Sequence, residues 1–302
     1  MALDVLHQRL AARFGERALA AEPLARHTSY RIGGPADVLV RPDTPEELAV
    51  TLREARAAGV PVTLLGGGSN MLVGDGGIRG LVVKLGRGFR RVEWRDTAAH
   101  AGAAVQVGKL ARASVDRGLA GLEHAEGIPG TVGGALFMNA GAYGGDTASV
   151  VEAVDGIDAD GQLVSVRRDE VSFTYRRAHL PPGFVVAGVT FCLRSDDPAA
   201  VRERLEGWRR KRLASQPQGL PNAGSIFKNP SGDHAGRLIE AAGLKGRRVG
   251  GARFSEHHAN FIVNDGRARA ADVQALMAIA QRAVWERSGI WLEPEVRLVG
   301  SW

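Results

Sequence analysis

The chain has 302 residues, more than one domain usually holds, and its 44% hydrophobic content supports sizeable cores, so two or three domains are expected. A formal charge of +6 and a pI near 10.0 admit anionic partners, but the basic residues are dispersed and no zinc-finger, heptad or aromatic RNA-binding pattern accompanies them, so a nucleic-acid partner is not expected. A single cysteine excludes an internal disulfide, and there is neither a basic-then-apolar leader nor an apolar span of roughly 18 residues, so a cytoplasmic protein without a membrane partner is expected.

Leu3, Leu6, Leu10 and Phe14 recur at helical spacing and predict an amphipathic first helix over residues 3–19. Residues 36–40 read as a strand. Thr44-Pro45-Glu46-Glu47 is a capping box that starts a helix running to about Ala58. Residues 62–65 form a short buried strand leading directly into a glycine loop. From Ile78 short apolar runs follow at 81–85, 92–94 and 98–101, then a helix over 107–117, a long glycine-rich stretch, and strands at 150–158, 163–166 and 185–193. Cys192, inside the last of these runs, reads as a buried strand residue and not as a nucleophile. Asp197-Pro198 opens a helix to about Leu213. Its basic run, Arg209 to Arg212, reads as a solvated face. The remainder holds a strand at Ile226, a helix near 235–242, a strand at 260–263, a helix over 270–287 and a final strand over 292–299. These shifts divide the chain into 1–77, 78–197 and 198–302. No internal repeat or low-complexity segment interrupts it.

Two glycine clusters carry the first functional signal. Gly66-Gly67-Gly68-Ser69-Asn70, closed by Met71, follows a strand and offers successive unblocked N–H groups, an arrangement suited to a pyrophosphate. It matches neither the G-x-G-x-x-G fingerprint nor a P-loop, and a mobile turn between strands is the competing interpretation. The stretch from Gly127 to Gly145 interleaves glycines with apolar residues and lacks serine. Such backbone suits close approach to a large flat ligand, or a tight junction between subdomains. Two of the chain's six asparagines, Asn70 and Asn139, fall in these loops.

Together the loops resemble those of the UDP-N-acetylenolpyruvoylglucosamine reductase family. Four further segments match it in order: residues 28–36 (TSYRIGGPA), 172–176 (SFTYR), 224–230 (GSIFKNP) and 293–297 (EPEVR). The resemblance implies an α+β chain with a two-subdomain FAD-binding fold of the vanillyl-alcohol-oxidase-like (PCMH-type) kind, over 1–77 and 78–197. A C-terminal α+β substrate domain over 198–302 would complete it, its last strand free to return to the first subdomain. It implies non-covalent FAD, NADPH as reductant, and reduction of UDP-N-acetylglucosamine enolpyruvate to UDP-N-acetylmuramate in peptidoglycan precursor synthesis. The length indicates the compact subtype without an additional tyrosine-bearing loop, and a monomer is expected. Related flavin oxidases often tether their flavin through a histidine near the first loop, and none lies between His27 and His100.

On this resemblance the cofactor contacts are Gly66, Gly67, Gly68, Ser69, Asn70, Met71, Gly127, Gly130, Thr131, Gly133, Gly134, Asn139, Ala140, Gly141 and Tyr143. Conjugate hydride addition to an enol ether bearing a carboxylate needs charge stabilisation and a proton. Arg176 suits the first, because a guanidinium holds a carboxylate through two parallel hydrogen bonds. Ser225 suits the second as proton donor if a relay resupplies its proton, although by local pattern it reads as a strand-initiating serine. Glu295 is the third catalytic residue, orienting Arg176 or assisting protonation; an ion pair with Arg297 is the local alternative. Substrate contacts fall to Tyr175, Lys228, Asn229 and Arg297. Strand alternation would put Ser225 and Phe227 on one face and Lys228 on the other. No metal is expected, since adjacent His257 and His258 diverge and lack a third ligand.

Overall fold

The computed structural model describes residues 2–302. Helix α1 (Ala2–Phe14) buries Leu6, Leu10 and Phe14. It stops short of residue 19 because Gly15 adopts a left-handed φ of 55°, after which a 3-10 turn leads into a strand at Ala18–Pro23. Helix α2 (Pro45–Ala57) begins as its sequence dictates: the Thr44 hydroxyl accepts from the Glu47 amide at 3.2 Å, with proline at the first position. Arg17 clamps Glu47 through bonds of 2.7 and 2.8 Å. The strand Val62–Leu64 is not buried as expected. It is the edge of a four-stranded sheet, leaving Val62 37% and Leu64 43% exposed.

The chain forms two compact units that it visits alternately. Unit one comprises residues up to Ala20, Val38–Gly67 and Gly80–Arg212; unit two comprises Ala21–Asp37, Gly68–Arg79 and Leu213–Trp302. Unit one is built on a five-stranded antiparallel sheet in the order Leu163–Arg167, Val151–Ile157, Val185–Cys192, Ala98–Gly102, Val92–Arg95. Val154, Val189 and Phe191 fill a core shared with helix α3 (Val107–Val115) and helix α4 (Val132–Phe137). Cys192 ends its strand one residue beyond inward-facing Phe191, so alternation points it outward and it is exposed, not buried. Helix α5 (Pro198–Ser215) packs Val201 and Leu205 on Val115 and Ala120. Its basic run is only partly a solvated face, because Arg212 is half-buried.

Unit two packs helix α6 (Ala235–Ala241) and helix α7 (Ala270–Ser288) with a three-stranded sheet of Arg248–Val249, Ala252–Phe254 and Ile262–Asn264. Its core draws in distant residues: Tyr30, Ile32 and Leu72 join Ile226, Phe227, Phe254, Val273 and Leu276. The strand Arg297–Val299 pairs in parallel with Met71–Val73. The strand expected at Ile226 is instead an irregular segment with isolated bridges at Asn222 and Phe227. Ile226 and Phe227 are both fully buried, so the expected alternation fails there. Among the described residues, no helix is long and apolar enough to cross a membrane.

Candidate active site

In unit one Gly66 and Gly67, which open the first glycine cluster, meet the second. A β-carbon on Gly67 would lie 2.8 Å from the Gly130 α-carbon, and one on Gly66 would lie 3.0 Å from the Thr131 Oγ1. Real side chains essentially never tolerate the first distance, so glycine is what allows the approach. Gly130 has a left-handed φ of 119°. Thr131 caps α4, its hydroxyl accepting from the Gly134 amide at 3.4 Å. The cluster is anchored to the turn that follows the strand Ala98–Gly102, by Val132 N–H to the Val105 carbonyl (2.8 Å) and Gly133 N–H to the Ala103 carbonyl (2.9 Å). Gly133 itself abuts Ala103, where a β-carbon would find only 3.0 Å. Within the first cluster, the amides of Gly66, Gly67, Gly68 and Asn70 donate to no other described residue. Free amides on a backbone without side chains form a surface for a phosphorylated ligand.

The second cluster ends in a hairpin pairing Gly141–Ala142 with Gly145–Asp146. Tyr143 and Gly144 make its two-residue turn with φ of 56° and 85°, the positive pair that a type I′ turn requires. Tyr143 stacks on Trp208 of α5, ring centroids 4.5 Å apart and planes 4° from parallel. Lys211 Nζ lies 4.5 Å from the centre of the same indole. Asn139, buried and left-handed at φ 39°, donates from its amide to Asp146 (3.1 Å) and the Thr174 carbonyl (3.3 Å), and accepts from the Ala148 N–H (3.0 Å). Its side chain therefore holds the loop together, and any cofactor contact from Asn139 falls to its backbone.

Thr174 leads into a second tight turn, between Ser172–Thr174 and Arg177–His179, with Tyr175 and Arg176 at its tip. Arg176 adopts φ 60°, where glycine is the usual occupant, and its Nη1 donates to the Gly141 carbonyl at 3.0 Å. Its guanidinium carbon lies 4.9 Å from the centre of the Tyr175 ring, which is 54% exposed. Asn139, Tyr143 and Arg176 are half of the six non-glycine residues with positive φ among those described. Such concentration of backbone strain marks functional regions.

Three residues of this region escaped sequence reasoning. The Arg212 side chain lies against Gly127, where a β-carbon would come within 2.7 Å of its Cδ. Burial lowers the Arg212 guanidinium from its ordinary value; Tyr143 and Glu126 favour its charge, and Arg176 opposes it. Glu126 is 2% exposed, with Oε1 bonded to Arg112 at 2.9 Å and Oε2 buried without a partner among the described residues. His124 lies beneath Gly145, whose missing β-carbon would touch the imidazole at 2.8 Å. Only Arg212 left a sequence signal, the basic run dismissed as solvated.

Unit two assembles the remaining expected residues. Ser225 follows Gly224, which takes a left-handed φ of 74°; Asn222 accepts from the Gly224 amide at 3.0 Å. The half-buried Ser225 hydroxyl makes no hydrogen bond to another described residue. Lys228 N–H donates to the Glu293 carbonyl (2.9 Å), Glu295 N–H donates to the Ile226 carbonyl (2.8 Å), and Lys228 Nζ pairs with the Glu293 carboxylate. Glu295 is half-buried and Arg297 exposed. Asn229 is exposed, and its Oδ1 accepts from the Ala235 amide at the start of α6 (3.1 Å). Asn70 ties the first glycine cluster to this strip: its amide donates to the Glu295 carbonyl (3.1 Å), and its own carbonyl accepts from Arg297 N–H (3.0 Å). Among the described residues, no group of His, Cys, Asp and Glu side chains could hold a metal.

A backbone surface without side chains and a row of free amides fit a flat cofactor with a pyrophosphate. Comparison with known proteins agrees. Residues 36–167 match the family described as FAD binding domain, and residues 216–299 match the C-terminal domain of UDP-N-acetylenolpyruvoylglucosamine reductase. The UDP-N-acetylenolpyruvoylglucosamine reductase of Geobacter metallireducens is 47% identical over 298 residues, 99% of each chain. That of Rubrobacter xylanophilus is 49% identical over 284 residues, 93% of this chain and 94% of the relative. The crystal structure of the corresponding reductase from Thermus caldophilus is 39% identical, covers 93% of this chain and 97% of its own, and superposes with a TM-score of 0.81.

Proposed function

The chain belongs to the UDP-N-acetylenolpyruvoylglucosamine reductase family, and from that premise we propose how its residues divide the reaction. It is a flavin-dependent oxidoreductase that reduces UDP-N-acetylglucosamine enolpyruvate in peptidoglycan synthesis, with FAD as cofactor. FAD, when bound, would supply the two-electron chemistry that links oxidation of NADPH to hydride addition at the terminal carbon of the enolpyruvyl group. The residues proposed to hold it are Gly66 to Met71, Gly127, Gly130, Thr131, Gly133, Gly134, Asn139, Ala140, Gly141 and Tyr143. The observation that carries this reading is the contact of Gly66 and Gly67 with Gly130 and Thr131, beside amides that donate nowhere else.

Hydride addition at the terminal carbon drives negative charge onto the substrate carboxylate. Arg176 carries the positive charge that stabilises it, presented from a turn at φ 60° with Nη1 bonded to the Gly141 carbonyl. Ser225 delivers the proton to the adjacent carbon. Its hydroxyl is not committed to another described residue and is free to turn toward the substrate, and a relay from solvent returns the proton that it gives up. Glu295, held through its backbone between Asn70 and Ile226, supports protonation. Tyr175, Lys228, Asn229 and Arg297 contact the remainder of the nucleotide sugar. The enzyme acts in the cytoplasm as a monomer, without a nucleic-acid or membrane partner.

Two half-reactions test the reading. NADPH added anaerobically to the yellow protein should bleach the flavin absorbance, and UDP-N-acetylglucosamine enolpyruvate should then restore it. Bleaching with no reoxidation by that substrate would overturn the assignment.

A further inference from the structure

We propose that Arg31 is a phosphate-binding residue, its guanidinium held ready for a phosphate or diphosphate group of a nucleotide ligand; the identity of the nucleotides rests on the function proposed above. Arg31 has a left-handed φ of 54°, which strains any residue with a side chain. Among the described residues two arginines take that conformation, and the other is Arg176, the proposed carboxylate binder. The strain persists because its neighbours are fixed. Tyr30 is fully buried, its hydroxyl donating to the Ile262 carbonyl (2.9 Å) and its carbonyl accepting from Asn264 (2.9 Å). Ile32 is buried in the same core, and the Thr28 hydroxyl closes the turn on the Ile32 carbonyl (2.9 Å). Between these anchors Arg31 is exposed, and it forms no ion pair with another described residue.

The position of this turn points to phosphate. Ser29 N–H donates to the Gly68 carbonyl (3.0 Å), and its hydroxyl reaches the carbonyls of Asn222 (2.7 Å) and Gly68 (3.3 Å). A β-carbon on Gly68 would fall 2.2 Å from the His27 carbonyl oxygen. The turn bearing Arg31 is therefore packed on the strand-to-loop segment whose Gly68 and Asn70 amides donate to no other described residue. An exposed guanidinium without an ion pair, carried on a turn packed against a segment of free amides, supplies the donors that a doubly charged oxyanion requires. Asn222 extends the same hydrogen-bonded group to Gly224 and so to Ser225.

Three nucleotide ligands carry such a group, and variants of the holoenzyme distinguish them. Arg31→Gln is expected to raise about tenfold one of three constants: the flavin dissociation constant, the KM for NADPH, or the KM for the nucleotide sugar. Arg31→Gly should show the same loss while keeping or raising the melting temperature, because glycine accepts the turn without strain. Arg31→Lys should retain part of the binding, with an effect that weakens as salt rises. The constant that moves identifies the phosphate recognised. Three unchanged constants in Arg31→Gln and Arg31→Gly would overturn the proposal, as would losses that appear only with a lowered melting temperature. Flavin dissociation is measured without turnover, so this arm stands even if the enolpyruvyl substrate fails to reoxidise the wild-type flavin.

Discussion

Asn260 grips Phe227 by both of its backbone groups: Oδ1 accepts from the Phe227 N–H at 3.0 Å and Nδ2 donates to the Phe227 carbonyl at 2.8 Å. The Asn260 carbonyl also accepts from Ile226 N–H at 2.9 Å, so one residue sets the course of the segment after Ser225. Asn260→Ala leaves two buried backbone groups unpaired and should cost about 2–4 kcal/mol by denaturant titration. Flavin binding through Gly66, Gly67 and the second glycine cluster should survive in the folded fraction. A loss below 0.5 kcal/mol, taken as roughly the low end for one hydrogen bond, would mean water replaces the clamp.

Ser225→Ala should leave flavin reduction by NADPH unchanged and slow reoxidation by the enolpyruvyl substrate by about 10²–10⁴, measured by stopped-flow absorbance. Equal slowing of both half-reactions would remove Ser225 from the proton step.

Arg176 separates conformation from charge. Arg176→Gly should fold about 1 kcal/mol more stably than Arg176→Ala, because only glycine takes φ 60° without penalty. Both should lose a charge-assisted carboxylate contact, with kcat/KM for the nucleotide sugar falling about 30-fold or more. Equal stability of the two variants would show that the turn relaxes.

The junction of the glycine clusters predicts a contrast within one unit. Gly67→Ala drives a methyl into the Gly130 backbone and should weaken flavin binding about tenfold or more, read by fluorescence of released flavin. A methyl on Gly144 meets nothing within 4 Å, so Gly144→Ala should cost only the strain of φ 85°, about 1 kcal/mol, and keep the flavin. Comparable flavin loss in both would place the cofactor away from the junction.

Burial lowers the pKa of His124, against smaller opposing contributions from the Gly121 backbone, Asp146 and Glu123. Between its folded value and the ordinary value near 6.5, the unfolded chain binds the extra proton, so stability rises with pH across that window. The contribution is complete above about pH 6.5 and is lost as pH falls to the folded value. Melting temperatures of His124→Gln should show a flatter acid limb than the parent. An unchanged limb would assign the dependence to other groups.

The features legible in the sequence are those a local rule dictates. Thr44 and Pro45 announce α2 because capping depends on four consecutive residues, and the glycine clusters are visible because close backbone approach needs glycine. The FAD-binding assignment rests on those clusters together with the motifs on either side of them. What stayed hidden depends on distant partners. Asn260 gains its role from a segment 33 residues away, and Arg212 leaves the solvated face where its side chain lies against Gly127. The exposure of Val62 and Leu64 was equally invisible, since a short apolar run reads the same at the edge of a sheet as at its centre.

The pairing of Met71–Val73 with Arg297–Val299 also governs how the protein can be made. Among the described residues the early segment has no other strand partner, so during synthesis its ladder stays open until Arg297–Val299 has emerged. The pairing cannot form before Arg297 is made, by which point every residue of unit one, whose last is Arg212, has already been synthesised. Pairing across so long a stretch of chain is slow, because closure of the intervening loop precedes any reward from the contact. A chain arrested before Arg297 would keep the glycine loops in its sequence and lack the strand that fixes Asn70.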